Sequence, residues 1–193
     1  MNFILASNSP RRKELLAGLG VEFTIKTIDG IDESYPDSLR GEQIPLHIAN
    51  KKADAYVNII QDDEILITAD TLVYIDIEGK EIVLGKPNDK QQAVDMIKLL
   101  AGKTHQVTTA VCLITKQKRK VFAVTTNVTF DNLTNEEIDF YVDNYKPYDK
   151  AGAYGIQEWI GFIGVNRIEG SYFNVMGLPV QRLYQELKKW NVI

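Results

Sequence analysis

The sequence predicts an α/β fold, a mixed twisted sheet with flanking helices, and three observations carry that prediction. The chain has 193 residues, 45% hydrophobic and 25% charged, enough to bury a core of ordinary size. Apolar runs of strand length, rich in Ile, Val and Thr, interrupt segments whose apolar residues recur every three or four positions. Strand and helix signals alternate along the chain, and no internal repeat, low-complexity tract or flexible linker divides it. The expectation is a single α/β domain over residues 1–193, or two lobes around a central cleft.

Residues 3–6 form a short apolar run that breaks at Ser7-Asn8-Ser9-Pro10, after which Leu15, Leu16 and Leu19 keep helical spacing up to Gly20. Ser9 before Pro10 has the form of an N-cap followed by proline at the first helical position. Residues 22–27 are a second strand candidate, and the acidic, turn-rich stretch 29–37 reads as a loop. Ile44, Ile48, Ala55 and Ile59 predict a helix within 42–60 that starts close to Pro45. Residues 65–77 carry the strongest strand signal, and Glu78-Gly79-Lys80 turns the chain into a returning strand over 81–84. Asn88 or Asp89 caps a helix that buries Ala93, Met96, Ile97 and Leu100 and closes at Gly102. Two β-rich runs, 107–115 and 121–130, flank a charged tip at 116–120 and predict paired antiparallel strands. Thr134-Asn135-Glu136-Glu137 is a capping-box pattern, and Val180, Leu183, Tyr184, Leu187 and Trp190 define one face of a last helix.

A net charge of -4 and a pI near 5.3 argue against a general nucleic-acid binder, so any anion binding has to be local. Cys112, the single cysteine, sits in an apolar run and reads as a core residue in a reducing compartment. Residues 1–6 are too short an apolar run for a signal peptide, and no stretch reaches membrane-spanning length. The expectation is a soluble cytoplasmic protein with no membrane partner.

Two places depart from what folding alone would select. Arg11 and Arg12 fall in the opening turn of a helix, where the macrodipole disfavours a cation by roughly 0.3 to 1 kcal/mol. An anion at that helix start reverses the argument, because backbone N–H groups, serine hydroxyls and guanidinium forks then converge on phosphate oxygens; two solvated arginines are the plain alternative. Asp70, with Thr68 and Thr71, interrupts an apolar strand, and a buried carboxylate there needs a cation, a metal or several donors. It is either the partner of a neighbouring lysine or a general base or metal ligand. Glu33, Lys51-Lys52, Lys86 and Gln157 are weaker candidates, each open to an ordinary surface or loop reading. His47 and His105 have no partner at metal-ligand spacing and read as structural or surface residues.

Taken together, Ala6-Ser7-Asn8-Ser9-Pro10-Arg11-Arg12, Ala69-Asp70-Thr71, Gly85-Lys86-Pro87, the run from Lys150 to Gln157, Gly170-Ser171-Tyr172 and Gly177-Leu178-Pro179 resemble the Maf family of nucleotide pyrophosphatases over essentially the whole chain. The resemblance implies a fold similar to the inosine triphosphate pyrophosphatases and hydrolysis of nucleoside triphosphates between the α and β phosphates. It implies Asp70 as proton acceptor, with Ser7, Arg11, Arg12, Glu33, Lys52, Lys86 and Gln157 at the other polar positions of the site. Lys51 beside Lys52 leaves two amines for one position. Arg11, Thr71 and Gln157 resemble the set of the branch acting on dTTP and UTP, as opposed to 7-methyl-GTP. The expectation is that one or more divalent cations, Mg²⁺ or Mn²⁺, bridge phosphate oxygens to Glu33 and Asp70, since hard oxygen ligands suit these metals. Two other readings compete: a nucleotide-binding regulator of cell division without turnover, and a pyrophosphatase for modified purine nucleotides. A homodimer is compatible with the resemblance.

Overall fold

The computed structural model describes residues 1–193. Strands β1 (Asn2–Leu5), β2 (Phe23–Ile25), β3 (Glu64–Ile77), β4 (Lys80–Leu84), β5 (Thr104–Ile114), β6 (Arg119–Phe130) and β7 (Val165–Glu169) form one seven-stranded sheet, ordered β2-β1-β3-β5-β6-β7 with β4 paired to β3. Its helices are α1 (Pro10–Ala17), α2 (Gln43–Asp54), α3 (Lys90–Leu100), α4 (Asn135–Tyr145), α5 (Trp159–Gly164), α6 (Tyr172–Met176) and α7 (Val180–Lys189). β1 pairs in parallel with both β2 and β3, whereas the β3–β4 and β6–β7 pairs are antiparallel. The mixed sheet with flanking helices is the expected fold class. No helix is long and apolar enough to cross a membrane.

Local signals placed most elements. The Ser9 side chain caps α1, with Pro10 at its start; Asp89, not Asn88, caps α3 through Gln92 N–H; and Thr134 and Glu137 complete a reciprocal capping box on α4. Two expectations need correction. α2 ends at Asp54, and Ala55 and Ile59 are exposed, because residues 55–59 leave the helix in turns that bury Tyr56 and Ile60 instead. On α7, Tyr184 faces solvent and Glu186 is buried, its Oε1 held at 2.9 Å by both Arg182 Nε and Lys189 Nζ. The short helices α5 and α6 and strand β7 had no distinct signal.

The chain divides into two compact units. The first comprises 1–71, 109–124 and 177–193, the second 72–108 and 125–176. In the first, Ile4, Ala49, Ala53, Tyr56, Ile60, Leu66, Ala110, Cys112 and Ile114 form a core cluster against which α2 packs. Burial pushes the Cys112 thiol up to about 12, which makes it an inert core residue. In the second, α3 and α4 pack around Ile97, Leu100, Phe130, Tyr141 and Tyr154.

His105 is buried in that second core, its Nε2 2.7 Å from the Tyr154 hydroxyl and its Nδ1 without a partner. Burial pushes the imidazole down to about 4 from an ordinary 6.5, so the folded state holds it neutral. Between those values the unfolded chain binds the extra proton. The contribution of neutral His105 is therefore complete above the unfolded value and is lost as pH falls towards the folded one. Urea unfolding near pH 7 and near pH 4.5 is expected to show wild type losing about 2 kcal/mol more than His105→Gln across that interval.

Candidate active site

β1 and β3 run in parallel register as far as Leu5 and Ile67, and Ala6 N–H adds one further bond to the Ile67 carbonyl at 2.9 Å. The chain then turns away through Ser7 while β3 continues. Asp70 thus stands beyond the carboxyl end of its parallel neighbour, the position where open α/β sheets place their ligand sites. Strand alternation puts Thr68 and Asp70 on one face. The buried Thr68 hydroxyl donates to the Ala49 carbonyl at 2.7 Å, pinning α2 to β3 one turn before Lys52.

That anchor decides which lysine meets Asp70. Lys52 Nζ lies 2.8 Å from Asp70 Oδ1 and 3.1 Å from Glu33 Oε1, so two carboxylates share one ammonium. Asp70 and Lys52 are largely enclosed, with side chains 13% and 16% exposed, whereas Glu33 is 54% exposed. Lys51 points elsewhere, to Asp32 Oδ2 at 2.6 Å and to the carbonyl and hydroxyl of Ser34 at 3.1 and 3.3 Å. Hydrogen bonding from Lys51, and then from Ser34, holds the Asp32 carboxyl well below the usual carboxylate range. The lysine partner that folding would require for Asp70 exists, but a second carboxylate on the same lysine exceeds that requirement.

The turn from Ser7 to Arg12 forms a separate network beside Asp70. α1 has no acidic residue in its first turn, where Arg11 and Arg12 meet the positive end of the helix dipole. Ser7 is buried, and its Oγ accepts from Ser9 N–H at 3.2 Å and from Arg12 Nη1 at 3.4 Å. Arg12 grips the chain on both sides of Asp70, donating from Nη1 to the Ala69 carbonyl at 2.9 Å and from Nη2 to Thr71 Oγ1 at 3.0 Å. Its Nε donates to the Gly177 carbonyl at 2.9 Å. Gly177 has φ of 116°, a backbone that side chains rarely adopt. Burial lowers the Arg12 pKa, Asp70 opposes that shift, and Arg11 reinforces it. Most of the guanidinium fork is thus committed to protein acceptors. The Thr71 hydroxyl also meets Thr109 Oγ1 at 2.9 Å.

Lys86 and Gln157 belong to the second unit, where Gly152 N–H donates to the Gly85 carbonyl at 3.0 Å and joins their two segments. Gly152 has φ of 68°, and a Cβ there would lie 3.0 Å from Val73 Cγ1, so only glycine fits. The loop beyond it is braced by Lys150 Nζ, 2.8 Å from Asp149 and 3.1 Å from Glu158, and by the Tyr141 hydroxyl donating to Glu158. Lys86 is exposed. The Oε1 of Gln157 is buried without a hydrogen-bond partner, an acceptor for which the protein supplies no donor.

Glu33 and Asp70 bring two hard carboxylate oxygens to one ammonium. They are a pair of carboxylates, not a cluster of three or more His, Cys, Asp or Glu side chains. Such pairs hold Mg²⁺ together with substrate phosphates, as distinct from an all-protein cage. Their convergence on a cationic Nζ marks a place where hard oxygens already face positive charge. Sequence reasoning left Lys51 and Lys52 as two amines for one position without the pairing of Lys51 to Asp32 and Ser34, and it missed Thr109 and the Gly177 carbonyl.

The family model described as Maf-like protein matches residues 2–190. The dTTP/UTP pyrophosphatase of Phocaeicola vulgatus is 61% identical over 186 residues, covering 96% of this chain and 94% of that protein. Proteins of the same name are 58% identical in Bacteroides thetaiotaomicron, with the same coverage, and 51% in Porphyromonas gingivalis, covering 96% and 92%. Among solved structures, the Ham1 protein of Staphylococcus aureus aligns with a TM-score of 0.53 at 16% identity, covering 96% of this chain and 100% of that one. A HAM1 protein from Coxiella burnetii gives 0.50 at 12% identity, covering 98% and 99%. These two likenesses establish the fold alone.

Proposed function

The chain belongs to the Maf-like protein family, and we propose that it is a dTTP/UTP pyrophosphatase, a hydrolase converting these nucleotides to the nucleoside monophosphate and pyrophosphate. The observation that carries the reading is the convergence of Asp70 and Glu33 on Lys52, beside the Ser7 to Arg12 turn and past the end of β1. The curated relatives of that name, matched over nearly their whole length, support the substrate pair.

A triphosphate brings about four negative charges, so catalysis here is mostly positioning and charge stabilisation. Asp70 Oδ1 is oriented by Lys52, and Oδ2 is the oxygen left to take the proton of the attacking water. That water adds to the α-phosphorus in line with the bridging oxygen, whose bond to the α-phosphorus breaks as pyrophosphate departs. Ser7 and Arg11, at a helix start whose dipole favours an anion, meet phosphate oxygens. Mg²⁺ or Mn²⁺, held by Glu33 and Asp70 with the phosphates, would supply Lewis-acid neutralisation. Lys86 and Gln157, in the second unit, take the phosphate and base roles that family membership suggests. The orphaned Gln157 Oε1 suits a pyrimidine ring N–H, and its amide can donate to a ring carbonyl. A homodimer and a cytoplasmic location belong to the same proposal, and light scattering on the purified protein checks the first.

The test is pyrophosphate release from a panel of dTTP, UTP, 7-methyl-GTP and modified purine triphosphates, with and without Mg²⁺. Preference for dTTP and UTP is expected, with loss of turnover on chelation. Arg11→Ala and Gln157→Ala are expected to lower that preference about tenfold, the size of one lost polar contact to substrate. Binding of dTTP without turnover would instead assign a sensor.

A further inference from the structure

The loop at 29–37 carries Glu33 with no regular secondary structure around it. A carboxylate that is 54% exposed on such a loop would ordinarily sample many rotamers and backbone positions. Here the residues on either side of it are held. Asp32 Oδ1 accepts from Ser34 N–H at 2.9 Å, and Asp32 Oδ2 accepts from Ser34 Oγ at 2.8 Å. Lys51 Nζ closes the ring with three acceptors, Asp32 Oδ2, the Ser34 carbonyl and Ser34 Oγ, which uses all three ammonium donors. Every one of those acceptors comes from a residue flanking Glu33. The adjacent lysine, Lys52, meets the Glu33 carboxylate itself.

The pattern repeats the treatment of Asp70, whose flanking residues Ala69 and Thr71 are both gripped by Arg12. Each carboxylate near Lys52 therefore has a cation that holds the residues on either side of it. An isolated surface ion pair would not produce this, since it would need one acceptor and could come from any residue.

We propose that Lys51 is a positioning residue, clamping Asp32 and Ser34 so that Glu33 is presented to Lys52, Asp70 and the divalent cation of the reaction. The inference rests on the functional reading above. It gives the two neighbouring lysines different tasks, Lys52 within the site and Lys51 behind the loop that completes it.

Three substitutions, two of them also combined, and two measurements test it. Hydrogen exchange of the amides at residues 32–34 is expected to quicken in Lys51→Ala and to return towards wild type in Lys51→Arg, which keeps a cation for Asp32. Mn²⁺ titration followed by electron paramagnetic resonance, with the non-hydrolysable α,β-methylene analogue of dTTP present, is expected to show half-saturation raised about two- to fivefold in Lys51→Ala. The increment is expected to vanish in a Glu33→Ala background, because there is then no carboxylate to position. Unchanged exchange, or faster exchange with unchanged Mn²⁺ affinity, overturns the proposal while dTTP turnover by wild type leaves the functional reading standing. Neither turnover nor Mn²⁺ binding by wild type overturns both. An equal Mn²⁺ effect with and without Glu33 also overturns it, since Lys51 would then act by another route.

Discussion

Asp70→Asn is expected to lower kcat for dTTP by about 10² to 10⁴, the range for loss of a general base, with little change in stability. Asparagine keeps the shape of the side chain and an oxygen that can accept from Lys52, now 2.8 Å from Oδ1. It removes the proton-accepting capacity of the second oxygen and one hard anionic ligand. Lys52 keeps that oxygen and the Glu33 carboxylate at 3.1 Å, so its ammonium is not left without acceptors and the cost in folding free energy is about 1 kcal/mol. Pyrophosphate release and urea unfolding, measured on the same preparation, separate the two readings of Asp70. A lysine partner serving the fold alone predicts full turnover per folded molecule and a lowered unfolding midpoint. A base predicts the reverse, and near-wild-type turnover would falsify the catalytic assignment.

Arg12→Ala carries the second large effect, and its character differs. Removing the guanidinium leaves the Ala69 and Gly177 carbonyls without the donors they have at 2.9 Å, and Thr71 without one of its two hydroxyl contacts. Hydrogen bonds from a charged donor contribute about 1.5 to 3 kcal/mol each, so a loss of about 3 kcal/mol in stability is expected by denaturant titration. Because Arg12 holds the Ala69 carbonyl and the Thr71 hydroxyl on either side of Asp70, kcat is expected to fall by more than tenfold while KM for dTTP moves far less. A residue that chiefly bound phosphate would raise KM. Arg12→Lys is expected to restore little, since a single ammonium cannot reproduce a fork directed at three separate segments. Full rescue by lysine would show that charge alone is required.

Much of the local architecture was legible. Ser9-Pro10, Asp89 and Thr134 with Glu137 announce helix starts because a cap is settled by side chains and amides two or three residues apart. The run at 65–77 was long enough to identify β3 from composition alone, and Asp70 stood out because it broke that run. What failed was also physical. Ala55 and Ile59 keep the helical period of α2, yet Tyr56 and Ile60 take the buried places once the chain leaves the helix at Asp54. Glu186 could not be foreseen as buried, because Arg182 and Lys189, four and three residues away, satisfy its carboxylate while the helix packs.

The sequence by itself determined which residues are out of place for folding: a carboxylate in an apolar strand, two arginines at a helix start, two lysines on one helix, all in a chain of net charge -4 where cations must be placed locally. Only the tertiary structure decided how they divide the work. Successive residues on a helix point about 100° apart, and the Thr68 to Ala49 bond sets which of the two lysines faces Asp70. Arg12 finds the Gly177 carbonyl 165 positions away, and Lys52 finds Asp70 across 18. Caps and alternation are short-range and leave marks in neighbouring letters. Pairings across that distance depend on the register of packed elements, and no local pattern encodes them.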